Sequence, residues 1–254
     1  MVMTVTRVAT ADHDATVVVG GSGPPMLLIH AIGLDHRMWS GVTEVMAAEA
    51  TTISYDLRGF GGSVPAPPAG SIAELADDAA AVLEATAAEP AHVVGLSIGG
   101  AVAQELALRH PHLVAKLSLC ATLCKGQEVA RQRAEQAEHD GVGSQVESTL
   151  ERWFTPAASA EAVAYAEGCL RSLDVPHWAA CWRALADLDT KSRLATLDVP
   201  AHVIVGNLDS STPVSVAREI AEAIPGATLG VIDDGPHMLS LETPEQLARE
   251  IART

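Results

Sequence analysis

The sequence predicts an α/β fold, with a mostly parallel eight-stranded sheet, helices on both of its faces and a helical cap above it. Three observations carry this. Short apolar runs alternate with helix-period patterns along most of the chain, the mark of a parallel sheet covered on both sides. One serine stands between glycines at the seam of such a run and a helix, in "HVVGLSIGGAVAQELALRHP" at 92–111. Residues 122–195 interrupt the alternation with helical patterning and no convincing strand. At 254 residues the chain is long enough for one domain carrying an insertion. The expected division is a core of 1–121 and 196–254 with a cap of 122–195.

Residues 4–9 and 15–19 read as an antiparallel edge hairpin. The runs "MLLIH" (26–30), "TTISY" (51–55), "HVVGL" (92–96), "KLSLCA" (116–121), "AHVIVG" (201–206) and "ATLGVID" (227–233) follow. Their alternation with helical patterns indicates a mostly parallel sheet covered on both faces. Helical patterns fall near 39–50, 71–88, 98–110, 213–223 and 244–252. The insertion holds Trp153, Trp178 and Trp182, three of the four tryptophans, residues that either pack or wall a ligand cleft.

Composition excludes several function classes. With 32 acidic and 16 basic residues the formal charge is −16, so nucleic acid and anionic membrane surfaces are repelled at long range. No apolar run approaches the roughly 18 residues of a membrane helix. The first residues lack a basic segment followed by an apolar one, so a cytoplasmic location is expected. Cys120, Cys124, Cys169 and Cys181 match no zinc spacing and are expected as free thiols. His110 and His112 flank Pro111 at a helix end, without further ligands nearby. No metal or cofactor is expected.

Gly95-Leu96-Ser97-Ile98-Gly99 fits the nucleophile elbow G-x-S-x-G, in which a strained turn presents the serine at a strand's carboxyl end. An ordinary glycine-rich turn would read the same way, so partners decide. Asp209 follows "AHVIVG" and His237 follows "ATLGVID", giving the order Ser, Asp, His from three strand ends. A serine hydroxyl needs an imidazole to take its proton, and the imidazole needs a carboxylate to fix its tautomer. Asp233 and Asp234 lie too close in sequence to His237 to be the obvious acid, and His202 begins a strand. The backbone N–H of Ile98 and that of Ile32, in the loop after "MLLIH", are the expected oxyanion donors. His30 reads as a loop support. In "YDLRGFGGS", Asp56 and Arg58 are expected to brace the loop by a charge-assisted bond.

Over essentially its whole length the chain resembles the α/β-hydrolases. Within them it is most similar to the 3-oxoadipate enol-lactonases and related carboxylesterases and lactonases. The residues that carry this are "GLDHRMW" (33–39), "YDLRGFGGS" (55–63), "GLSIGGAVAQELA", "ERWFTP" (151–156), "CWRALADLD" (181–189) and "STPVSVAREIAEAIPGA" (211–227). The resemblance implies a cofactor-free hydrolase of a small ester or lactone that works through an acyl-enzyme: Ser97 attacks the carbonyl, His237 shuttles the proton and Asp209 orients the imidazole. His30-Ala31 and Ala121-Thr122 stand where those lactonases often carry Asn-Ser and Asn-Thr, which leaves a broader esterase or another lactone ring open. An enol-lactone of that class carries a carboxylate, and Arg152 with Trp153 are the expected substrate contacts. Two other classes stay in play: cofactor-independent perhydrolase or oxygenase chemistry on the same fold, and a non-catalytic ligand receptor, which would have no need of all three polar residues. Serine at 97 excludes an aspartate nucleophile.

Overall fold

The computed structural model describes residues 3–254; residues 1 and 2, which open the segment read as core, lie outside them. The strands are β1 (Met3–Ala9), β2 (Asp14–Gly21), β3 (Pro25–Ile29), β4 (Thr51–Tyr55), β5 (Ala91–Leu96), β6 (Val114–Cys120), β7 (Ala201–Gly206) and β8 (Thr228–Ile232). They form one sheet in the order β1-β2-β4-β3-β5-β6-β7-β8. The pairings of β1 with β2 and of β2 with β4 are antiparallel, and all the others are parallel. Every residue of β3, β5 and β7 is buried, which is why these strands read as unbroken apolar runs. β1, at the edge, buries only Val8.

Helix α1 (Ser40–Met46) joins β3 to β4, α2 (Ile72–Thr86) joins β4 to β5, and α3 (Ile98–Arg109) joins β5 to β6. α2 starts where the Ser71 hydroxyl accepts from the Glu74 amide, and it buries Leu75, Ala76, Ala79, Val82 and Leu83 at helical spacing. The helix expected over 39–50 is shorter: a 3-10 turn at His36–Trp39 leads into α1, which stops at Met46. There the amides of Glu49 and Ala50 both fold back to the Met46 carbonyl and turn the chain into β4.

Between β6 and β7 the chain runs through α4 (Glu128–Asp140), α5 (Val146–Trp153), α6 (Ala160–Ser172) and α7 (Val175–Ala186), with no strand among the described residues. An isolated bridge between Lys125 and Asp189 ties the two ends of this insertion together. α8 (Val214–Ala223), a short α9 (Leu239–Glu242) that the sequence did not signal, and α10 (Pro244–Ile251) complete the chain. No described helix is long and apolar enough to cross a membrane.

The strand order fixes where a site belongs. β4 lies on one side of β3 and β5 on the other, so the chain runs on from β3 and from β5 in opposite directions and leaves a crevice at the carboxyl ends of these two strands. Ile29 of β3 pairs in register with Gly95 of β5. The loop holding Ile32 and the turn holding Ser97 therefore leave the sheet side by side.

Candidate active site

Ser97 sits at φ 59° and ψ −119°, a left-handed backbone that non-glycine residues seldom adopt. Its surroundings enforce the turn. The Ser97 amide donates to the Cys120 carbonyl at 3.0 Å, and Thr122 Oγ1 donates to the Ser97 carbonyl at 2.7 Å. A Cβ at Gly95 would lie 2.1 Å from the Gly99 carbonyl oxygen, and one at Gly99 would lie 2.2 Å from the Ile29 carbonyl oxygen. Only glycine lets α3 close this tightly on the sheet.

The partners arrive by an equally close approach at the other end of the sheet. A Cβ at Gly206 would lie 2.0 Å from the Gly235 carbonyl oxygen, and the amides of Asn207 and Leu208 donate to the carbonyls of Ile232 and Gly235. The loops after β7 and β8 are thus laced together, which sets Asp209 against His237. His237 Nε2 stands 3.2 Å from Ser97 Oγ, and His237 Nδ1 stands 2.8 Å from Asp209 Oδ2. All three side chains are buried.

Asp209 is held as an acceptor. Its Oδ1 takes the amides of Ser211 and Thr212, and its Oδ2 takes the Thr212 hydroxyl at 2.8 Å. Burial alone would raise its pKa, but His237 and the two Thr212 donors outweigh that and hold it below the ordinary carboxylate value. The amides of Ile32 and Ile98 have no acceptor among the described residues, Ile98 because it begins a helix. Ile32, Ser97 and His237 line one narrow chamber of about 70 Å³.

The family model for the alpha/beta hydrolase fold matches residues 24–244, most of the chain. The chain belongs to the α/β-hydrolases. This α/β-hydrolase is 27% identical over 230 residues to the 3-oxoadipate enol-lactonase 1 of Acinetobacter baylyi, covering 89% of this chain and 86% of that one. It is 30% identical over 245 residues to the pimeloyl-acyl-carrier-protein methyl ester esterase of Chromobacterium violaceum, covering 91% and 94%. The solved enol-lactonase of Burkholderia xenovorans superposes with a TM-score of 0.89 at 25% identity, over 98% of each chain.

The insertion of this α/β-hydrolase lies over the chamber, but not as the sequence suggested. Trp153 and Trp182 line it, while Trp178 is wholly buried elsewhere and donates its indole N–H to Gln145. Arg152 does not line it. Its Nη2 donates to Thr149 Oγ1 one helical turn back, and its Nε is buried without a partner among the described residues. The arginine on the chamber wall is Arg133 of α4, which the sequence reading missed. A signal existed: Ala130, Ala134 and Ala137 are the buried stripe of α4, and residue 133 borders it at helical spacing.

Asp56 and Arg58 do not bond each other. Asp56 accepts from the backbone and ring of His36, both at 2.7 Å, and from the Gly62 amide. Arg58 is buried and reaches Asp78, Glu74 and Asp12. Both brace their loop, with different partners: Asp56 ties it to the loop after β3, and Arg58 ties it to α2 and to Asp12. His30 supports its loop as read: Nδ1 donates to the Ala31 carbonyl and Nε2 accepts from the Leu57 amide. Burial pushes its pKa down and keeps this neutral form. All four cysteines are free.

A second opening lies elsewhere. A cavity of about 740 Å³ lies between the 33–37 and 56–64 loops and α6, and its lining includes neither Ser97 nor His237. Asp35, His36 and Asp56 bring potential ligand atoms there within 4.8 Å of one another. Those atoms are already engaged: Arg37 and Tyr165 bond Asp35, and His36 and Gly62 bond Asp56. That donor set is satisfied by protein and does not fit a metal.

Proposed function

We propose that the protein is a serine hydrolase that cleaves a small carboxylic ester or lactone through an acyl-enzyme. One observation carries this reading: the hydrogen-bonded line Ser97–His237–Asp209 on the wall of a chamber with apolar sides. Ser97 Oγ attacks the substrate carbonyl as His237 Nε2 takes its proton, and Asp209 Oδ2 accepts from Nδ1 and stabilises the imidazolium. The tetrahedral oxyanion sits between the amides of Ile32 and Ile98, each such donor contributing about 3–4 kcal/mol to the transition state. His237 then protonates the leaving alkoxide, which departs as an alcohol or stays tethered when a lactone opens. Water, deprotonated by the same imidazole, attacks the acyl-enzyme and releases the acid. His237 is the only base required, and the two half-reactions mirror each other.

The names of the relatives, an enol-lactonase and a methyl ester esterase, support both branches of the substrate class. The test is a hydrolysis panel of enol-lactones, saturated lactones and short acyclic esters on the wild type and on Ser97→Ala. Turnover of at least one group, lowered about 10⁴-fold or more by the substitution, supports the proposal. Turnover kept within tenfold in Ser97→Ala refutes it.

A further inference from the structure

The polar side chains around the nucleophile are nearly all engaged. Asp209 gives both oxygens to Ser211, Thr212 and His237, and the Thr212 hydroxyl is turned onto Asp209 Oδ2. Ser97 Oγ and His237 Nε2 face each other at 3.2 Å. Ser211 differs. Its amide donates to Asp209 Oδ1 at 2.8 Å, yet its hydroxyl oxygen is buried with no hydrogen-bond partner among the described residues. A desolvated hydroxyl without a partner is costly, so one on the wall of a ligand chamber gains most from a molecule that enters there and bonds it.

Ser211 lines the same chamber as Ser97 and His237. It does so from the loop that carries the acid: its amide and that of Thr212 share one oxygen of Asp209, whose other oxygen holds His237 Nδ1. The hydroxyl and the imidazole are thus set by one hydrogen-bonded frame. A chamber of about 70 Å³ has room for about two waters, so the groups on its wall share the same few molecules. Deacylation makes a particular demand on one of them. The attacking water gives one proton to His237 Nε2, and its other O–H needs an acceptor that keeps a lone pair aimed at the acyl carbon. Arg133, Trp153 and Trp182 also line the chamber, but their side chains can only donate, and Gln127 is exposed. With Thr212 committed to Asp209, Ser211 Oγ is the one buried side-chain acceptor of the chamber left free among the described residues.

We propose that Ser211 positions the hydrolytic water: its hydroxyl accepts one O–H of that water while His237 Nε2 takes the other proton and the water oxygen attacks the acyl carbon. This rests on the hydrolase reading above and adds a residue to its second half. A bond forms between the water oxygen and the acyl carbon as one water proton passes to His237. The same proton then goes to Ser97 Oγ as its bond to the acyl carbon breaks, which releases the acid and restores the serine. Ser211 neither gains nor loses a proton; it fixes where the water stands. Acylation needs no such water, because the leaving alkoxide takes its proton from His237 directly. The role of Ser211 therefore belongs to deacylation alone.

The test times the two halves separately in the wild type, in Ser211→Ala, which removes the hydroxyl, and in Ser211→Thr, which keeps it. 4-Nitrophenyl dimethylcarbamate loads the nucleophile with a carbamoyl group that water removes slowly. Loading is followed by nitrophenolate release, and decay by intact mass once the reagent is removed. Decay is expected to slow tenfold or more in Ser211→Ala and to recover in part in Ser211→Thr, with loading unchanged within twofold. The same split is read on an ester: acid quench at saturating 4-nitrophenyl butyrate gives the ratio of butyryl-enzyme to free chain. That ratio should rise tenfold or more in Ser211→Ala while kcat/KM, which reports acylation, stays in place. Decay and ratio unchanged within twofold overturn the proposal. Loading and decay slowed alike overturn it as well, the mark of a serine that only packs the acid loop, and loading slowed alone would assign the hydroxyl to the leaving group. A wild type that neither loads nor turns over the ester refutes the hydrolase reading itself, whereas normal loading with unaltered decay refutes the role of Ser211 alone.

Discussion

Asp209 shares its two oxygens among two amides, one hydroxyl and the His237 ring, so its orientation is fixed before any substrate enters. Asp209→Asn keeps the shape but presents an amide N–H where Nδ1–H must be accepted, and so selects the wrong imidazole tautomer. Steady-state kinetics on the best ester should show kcat lower by roughly 10⁴, and a loss within tenfold would point to another acid. Asp233 and Asp234 serve as controls, since no bond joins either to His237 among the described residues. These polar residues were legible because each stands just past a strand, where little else polar occurs. Arg133 was not. It sits in "EVARQRAEQAEHD", a charged run that reads as a solvated face, and only packing against α7 turns one of its arginines inward. Arg152 attracted attention for the motif around it, yet a helix places alternate neighbours on different sides, and the side chain turns back along α5.

The elements explain which glycines are constrained. At Gly99, where an added Cβ would meet the Ile29 carbonyl oxygen at 2.2 Å, alanine should destabilise the fold by about 1–3 kcal/mol. At Gly168 in α6, where nothing lies within 4 Å of the added Cβ, alanine should stabilise by about 0.5–1 kcal/mol. Urea unfolding of the two variants checks both signs, and the same sign in both would contradict the packing described. The loops after β3 and β4 are joined by His36 and Asp56. The bond from Asp56 outweighs burial and raises the His36 pKa above its ordinary 6.5. A raised folded pKa means that the charged ring stabilises the native state in full below about pH 6.5, and that this contribution fades as pH rises through the folded value. The Tm gap between the wild type and His36→Asn should therefore be widest in mild acid and narrow toward alkaline pH. A gap that widens with pH would contradict it. The central parallel strands β3, β5 and β7 were legible as largely apolar runs, because burial on both faces leaves little alternation. Helix ends were less so: α1 stops at Met46 on backbone bonds that carry no side-chain signature.

At the scale of the whole molecule, the strand order brings the β3 and β5 loops together, the lacing after β7 and β8 brings the acid and base together, and the insertion roofs the result. Sequence patterning carried the order of elements and the strand ends, and so the polar line itself. It carried little about the roof, whose helices pack by shape, so which side chains face inward emerges only from tertiary contacts. A narrow chamber of about 70 Å³ walled by Trp153 and Trp182 also limits the substrate. 4-Nitrophenyl butyrate should be turned over with a higher kcat/KM than the palmitate ester; a preference for palmitate would place the acyl site outside the chamber. The central claim is that Ser97 forms a covalent acyl intermediate, and the most direct measurement is labelling with a fluorophosphonate followed by intact mass and peptide mapping. The account predicts one adduct per chain, confined to the peptide containing Ser97, absent in Ser97→Ala and paralleling loss of esterase activity. An adduct on another residue, or full esterase activity in a fully labelled protein, would contradict it.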